Sequence, residues 1–109
     1  MPATVDLADR LARVSEGGSQ VEVRLTPIEW QLLEVLLRHP GKLLSQGRLR
    51  TEVWGPGYEN AGGNLRVYMA QLRRKLEADP GRPRHLLTEP GMGYRFQPDG
   101  RDERRETTP

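Results

Sequence analysis

The residues with most chemistry to offer lie together in one stretch, Asn64-Leu65-Arg66-Val67-Tyr68-Met69-Ala70-Gln71-Leu72-Arg73-Arg74-Lys75-Leu76-Glu77. Arg66, Arg73, Arg74 and Lys75 are cations, and Gln71 carries an amide that both donates and accepts. A guanidinium fork matches a phosphate or the major-groove edge of guanine, and a carboxamide matches adenine. Leu65, Met69, Leu72 and Leu76 recur at i, i+4, i+7 and i+11, which places them on one stripe of a helix. A core needs that stripe, but it does not need four cations and a glutamine around the rest. The pattern points to a helix that buries one side and lays the other in the major groove of DNA. The plain alternative is a solvated basic face, as on most charged helices. The helix alone leaves the two close to even, and the hairpin-like segment downstream of it tips the balance.

Other chemistries find no residues. The chain has no cysteine, which removes disulfides and thiolate chemistry and fits a reducing cytoplasm. His39 and His85 are far apart and lack a second ligand at metal spacing. There is no Ser/His/Asp set, no paired catalytic carboxylates and no phosphate-cradling glycine motif. Neither an enzyme nor a cofactor site is expected. No run of about 18 apolar residues is present to span a membrane, and Met1-Pro2-Ala3-Thr4-Val5-Asp6 lacks the pattern of a signal peptide.

The chain has 109 residues, 35% of them hydrophobic, with a mean hydropathy of -0.73, enough for one domain with a small core. Its net charge of +2 conceals an uneven distribution. Residues 64–84 hold 6 basic and 2 acidic groups, net +4, whereas residues 1–63 and 85–109 are each net -1. A polyanionic partner accounts for that placement more directly than solubility does.

The elements that must position the basic helix can be read from periodicity and punctuation. Val5, Leu7, Leu11, Arg13 and Val14 precede a Gly17-Gly18-Ser19 turn. Val21, Val23 and Leu25 then alternate with Glu22 and Arg24, as in a strand with one buried face. A small antiparallel sheet is expected there, with Asp6 and Asp9 as isolated acids on its first strand. Thr26-Pro27-Ile28-Glu29 is a helix start with a capping box and proline at the first position. The helix carries a broad apolar face through Leu37 and stops at His39-Pro40-Gly41. Lys42-Leu43-Leu44 is a short strand, and Ser45 caps a second helix with Leu49, Val53 and Trp54 inward. Gly55-Pro56-Gly57-Tyr58-Glu59-Asn60 separates it from the basic helix, giving a helix-turn-helix with an enlarged turn. Asp79-Pro80-Gly81 is a stop. His85–Thr88 and Tyr94–Phe96 are strands joined by Glu89-Pro90-Gly91-Met92-Gly93, a hairpin placed as a wing. Residues 99–109 have no apolar side chain and read as a disordered tail.

The motifs Leu25-Thr26-x-x-Glu29, Leu32-Leu33, His39-Pro40-Gly41, Val53-Trp54-Gly55, Leu65-Arg66-Val67, Leu72-Arg73-Arg74-Lys75-Leu76 and Gly91-Met92-Gly93-Tyr94-Arg95-Phe96 resemble, in this order, the DNA-binding effector domain of OmpR/PhoB-type response regulators. The resemblance spans about residues 5–97. Within the family, Arg66–Glu77 and Pro83-Arg84-His85 leading into Thr88–Phe96 are most similar to regulators of potassium-uptake operons. It implies an α+β fold, a winged helix-turn-helix with an N-terminal four-stranded antiparallel sheet, three helices and a C-terminal β-hairpin wing. Residues 1–98 would form this effector domain, without the receiver domain that relatives carry in front and in which an aspartate is phosphorylated.

By the same resemblance, Gln71 matches a base-contacting position, flanked by Arg66, Arg73 and Arg74 at phosphates; by its own chemistry, Val67 on the same face can touch a thymine methyl. Lys75, nearer the core edge, can simply snorkel. Trp54 packs mostly into the core, and its match in the family also donates the indole N–H to a phosphate. Tyr94 and Thr88 match positions that reach the DNA backbone, with wing anchoring as the plain role for Tyr94. Loop 55–60 matches the site where some members touch RNA polymerase. Two positions depart from the family. Pro90 replaces a minor-groove arginine and offers neither charge nor N–H, so the major-groove helix must carry more of the recognition. Ala61-Gly62-Gly63 replaces bulkier polar residues and predicts a frayed or late helix start with lost contacts. The function expected is sequence-specific binding of double-stranded promoter DNA as a dimer on repeated half-sites. A winged-helix module that binds protein is the alternative. An RNA-binding domain is disfavoured because only 6% of residues are aromatic, mostly at core-like positions.

Overall fold

The structure is a computed structural model that describes residues 3–57 and 64–100. The second half of loop 55–60, the Ala61-Gly62-Gly63 segment and tail residues 101–109 lie outside the described residues. The elements are β1 (Ala3–Asp6), β2 (Leu11–Glu16), β3 (Ser19–Val23), α1 (Pro27–Arg38), β4 (Leu43–Leu44), α2 (Gln46–Trp54), α3 (Leu65–Leu76), β5 (Leu86–Glu89) and β6 (Gly93–Phe96). They form the winged helix-turn-helix expected from the sequence, with three strands in the N-terminal sheet among the described residues where the resemblance implied four.

That sheet is antiparallel in the order β1-β2-β3, with Val5 opposite Ala12 and Ala12 opposite Val23. Ala12 is fully buried, and Val5, Val14, Val23 and Leu25 pack against the core. Val21 does not, contrary to the alternation expected over residues 21–25. It is 41% exposed because the Gly17-Gly18 end of the hairpin overhangs the core. Asp9 lies in the turn after β1 and not on the strand; its N–H donates to Asp6 Oδ1 at 3.1 Å.

The start of α1 matches its sequence signal. The Glu29 N–H donates to Thr26 Oγ1 at 3.2 Å, and the Thr26 N–H donates to Glu29 Oε1 at 2.8 Å, with Pro27 in the first turn. Leu32, Leu33 and Leu36 are fully buried at the centre of the core. Leu49 and Val53 of α2 and the α3 stripe Leu65, Met69, Leu72 and Leu76 close around them. The helix ends at His39, whose N–H donates to Leu36 O at 3.2 Å.

The second sheet, in the order β4-β6-β5, is the wing and its root. Leu44 pairs with Tyr94, and Leu86 pairs with Phe96. Gly93 makes the packing possible. Its φ is +149°, and a Cβ built on it would overlap the Leu44 carbonyl. Tyr94 and Phe96 then point inward together, 5% and 7% exposed.

Candidate nucleic-acid interface

Helix α3 has a core side, two flanks and one open face. Its first turn is capped by Asn64, whose Oδ1 accepts from the Val67 N–H at 3.3 Å. The helix begins at Leu65. No acidic residue sits in the first turn, and Arg73, Arg74 and Lys75 occupy the last, where the helix dipole favours cations. Opposite the buried stripe stand Arg66, Val67, Ala70, Gln71 and Arg74. Arg66 and Arg74 are exposed, Val67 is 44% exposed and Gln71 is half-buried. None of Arg66, Gln71 and Arg74 makes a side-chain hydrogen bond or ion pair among the described residues. A face with two cations and an amide, held on a helix packed into the core, is open to an external ligand.

One flank of α3 is occupied by the wing. Arg73 Nε donates to Leu86 O at 2.8 Å, and Nη2 donates to Thr88 Oγ1 at 2.6 Å. Its guanidinium carbon lies 5.9 Å from the centre of the Tyr94 ring. Burial lowers the Arg73 pKa from its ordinary value, and Tyr94 and Glu77 act against the shift. Arg73, expected at a phosphate, is therefore committed through two of its three nitrogens to the hairpin, and the two N–H groups of Nη1 and the second N–H of Nη2 remain for anything outside. Thr88 is exposed and shares its hydroxyl with Arg73. The Tyr94 ring is buried and makes no side-chain hydrogen bond among the described residues. Glu29 Oε2 is the one buried side-chain polar atom there without a partner, so the Tyr94 hydroxyl touches solvent.

The other flank meets α2 and α1. Tyr68 lies against Trp54, with ring centres 5.8 Å apart and planes at 50°. Trp54 is half-buried, and its indole N–H has no hydrogen-bond partner among the described residues. Next to Tyr68 on this flank, Lys75 Nζ binds Glu29 Oε1 at 2.6 Å, and Glu29 is only 1% exposed. Lys75 therefore does more than snorkel: it is the counter-ion of a buried carboxylate and ties the end of α3 to the start of α1.

Glu77, immediately after α3, holds the wing's root. Its Oε2 accepts from the His85 N–H at 2.9 Å and the Leu86 N–H at 2.7 Å, and Oε1 accepts from the Arg84 N–H at 3.3 Å. His85, also buried, has Nδ1 2.8 Å from Gln97 O; a carbonyl only accepts, so that nitrogen carries the proton. The sequence reading missed Glu77 and the second role of Glu29. The capping box was a visible signal for Glu29. Nothing local marks Glu77, because its partners lie seven to nine residues downstream across a turn.

The geometry thus brings Arg66, Val67, Gln71 and Arg74 onto one open face. Arg73, Thr88 and Tyr94 border it on the wing side, and Trp54 borders it on the α2 side. Residues 20–96 match the family described as transcriptional regulatory protein, C terminal. The chain is 58% identical over 94 residues to the transcriptional regulatory protein KdpE of Mycobacterium tuberculosis, covering 86% of the chain and 40% of that protein. It is 56% identical over 93 residues to the KDP operon transcriptional regulatory protein KdpE of Escherichia coli, covering 85% and 40% respectively. The chain spans about 40% of the length of these curated relatives. Among solved structures, it is similar in fold to the DNA-binding domain of RstA from Klebsiella pneumoniae in complex with the RstA box. The TM-score is 0.74 at 24% identity, with 90% of this chain and 93% of that one covered.

Proposed function

The chain belongs to the OmpR/PhoB-type family of C-terminal domains of transcriptional regulatory proteins, and from that premise we propose that it binds double-stranded promoter DNA sequence-specifically through α3. The observation that carries the proposal is the open face of α3, with Arg66, Gln71 and Arg74 all lacking intramolecular partners among the described residues. Gln71 sits centrally and pairs with an adenine edge, while Val67 beside it packs on a thymine methyl. Arg66 and Arg74 take phosphates or guanine. Trp54 donates its indole N–H to the backbone on one side. On the other, Thr88, the Tyr94 hydroxyl and Arg73 Nη1 line the path of the opposite strand. Arg73 does this second; its first task is to hold the hairpin beside the helix.

On this reading the chain is the effector part of a two-component response regulator acting in the cytoplasm, under a receiver domain, on potassium-transport genes. Two protomers occupy half-sites about one helical turn, roughly 34 Å, apart, and loop 55–60 faces RNA polymerase. A salt titration tests the core of the proposal. Affinity for a selected duplex should exceed that for a scrambled one, and the logarithm of each affinity should fall linearly with log salt at about 0.9 per phosphate neutralised. Equal affinity for both duplexes, or affinity independent of salt, defeats it.

A further inference from the structure

Strand β3 leaves one edge of the N-terminal sheet unpaired. It is the last strand in the order β1-β2-β3, and Ser19, Gln20, Val21 and Glu22 are all exposed. Which of its backbone groups are free follows from its register with β2. Glu16 and Ser19 close the two-residue Gly17-Gly18 turn and so form a hydrogen-bonded pair, which makes Val14–Val21 and Ala12–Val23 hydrogen-bonded pairs as well. The N–H and C=O groups of Gln20 and Glu22 therefore point away from β2, and no hydrogen bond reaches them among the described residues. The usual protections of an edge are missing, since β3 has no proline, no lysine and no bulge. The wing treats its edge differently: Arg73 and Glu77 cap the Leu86 C=O and N–H of β5. At the middle of the open edge stands Val21, 41% exposed on the sheet face that elsewhere packs on the core. The other outer strand, β1, has no such residue, because Ala3 and Val5 pack against the core.

We propose that β3 is a self-association edge, at which a second copy of this chain adds its own β3 antiparallel and the two N-terminal sheets run on as one. The edge selects the register. With Val21 opposite Val21 of the second copy, Gln20 lies opposite Glu22 at both ends, and each such pair exchanges both backbone hydrogen bonds. The valines then meet at a non-hydrogen-bonded position, where side chains come closest, and extend the apolar row begun by Val14 opposite Val21. On the outer face the Gln20 amide, which already donates to Ser15 Oγ at 2.8 Å, keeps a second N–H for the Glu22 carboxylate across the seam. The neighbouring registers lose this. Centring on Glu22 sets two carboxylates face to face, and centring on Gln20 places Val21 opposite Ser19. A twofold seam of this length buries far less than the roughly 1,200 Å² at which stable interfaces begin, so the pair is weak and reversible. No residue of β3 lies on α3, so pairing uses none of the residues assigned to DNA.

The chain has no cysteine, so single cysteines report the seam directly. Val21→Cys, Gln20→Cys, Glu22→Cys and, on β1, Thr4→Cys are each oxidised in a glutathione redox buffer, and disulfide-linked dimer is read on a non-reducing gel. In the proposed register the Cα atoms of the two copies of position 21 lie about 4.5 Å apart, within disulfide range, whereas the copies of position 20, like those of position 22, are diagonal neighbours at roughly 7–8 Å. Val21→Cys should therefore link about tenfold faster than the other three. Sedimentation velocity of the unaltered chain should give a weight-average mass that rises with concentration towards that of a dimer. Val21→Lys should stay monomeric with an unchanged melting temperature, since the position is exposed and a lysine blocks the edge. Equal linking at all four positions, or fastest linking through Thr4→Cys, overturns the proposal. So does an unaltered chain that stays monomeric up to about 1 mM, or a Val21→Lys variant that associates as strongly as the unaltered chain.

Discussion

Replacing Arg73 with alanine should damage the protein before it damages the complex. The side chain gives the wing two charge-assisted hydrogen bonds, at 2.8 Å to Leu86 O and 2.6 Å to Thr88 Oγ1, and its guanidinium faces Tyr94 at 5.9 Å. Hydrogen bonds to charged groups contribute about 1.5–3 kcal/mol when buried, and an exposed cation–π pair about 0.5–1 kcal/mol. Arg73 is only half-buried, so the sum must be discounted to about 2 kcal/mol. For a domain of this size that corresponds to a melting temperature lower by roughly 10 °C. Arg73→Lys should recover little of it, because an ammonium cannot span two acceptors as a planar fork does. Burial has lowered the arginine's pKa, so its charged form carries a penalty at every pH below that value. The guanidinium remains protonated throughout, and the melting difference should stay flat between about pH 6 and 9. Thermal melting by circular dichroism reads all of this. Arg74→Ala, at an exposed position, serves as the control that melts unchanged. Were Arg73→Ala to melt with the unaltered chain, and Arg73→Lys to restore full DNA affinity, the side chain would be a phosphate contact alone and the wing-holding role would be wrong.

Three further substitutions probe what holds the interface in shape. Gly93→Ala places a Cβ inside the Leu44 carbonyl at a φ of +149°, and should cost about 3 kcal/mol or more, seen as a lower urea midpoint. Glu77→Gln leaves one amide oxygen where a carboxylate accepted three N–H groups, and should cost about 1–2 kcal/mol, with hydrogen exchange accelerating first at His85 and Leu86. Lys75→Met strips the buried Glu29 of its counter-ion; Lys75 is 33% exposed, which sets the cost near the lower end of the range for broken buried pairs, about 3 kcal/mol. Adding Glu29→Gln to Lys75→Met should recover much of that loss, and urea unfolding of the four variants in a double-mutant cycle measures how much.

Much of the fold was legible because its signals are local. Thr26, Pro27 and Glu29 start α1 by hydrogen bonds that span three residues, and the i, i+4, i+7, i+11 stripe of α3 needs nothing beyond helix geometry. The open face was legible for the same reason, since whatever is not on the stripe of an isolated helix points elsewhere. Legibility ends at the flanks of the helix. Arg66 and Arg73 sit at neighbouring angles around α3, and nothing in the chain from 64 to 77 separates their fates. One is exposed and free among the described residues; the other is bound to Leu86 and Thr88. The separation comes from where the hairpin docks. Docking depends on a glycine at 93 that admits the Leu44 carbonyl and on Glu77, which gathers the N–H groups that lead into β5. The overhang of Val21 has the same origin, since a strand's alternation says which side chains share a face but not how far the covering layer extends. A residue's role on this face is thus read from its neighbours across the sheet and across the turn, and Arg73 shows the consequence: a cation that its motif places among expected DNA contacts is drawn through Nε and Nη2 into holding the wing against α3.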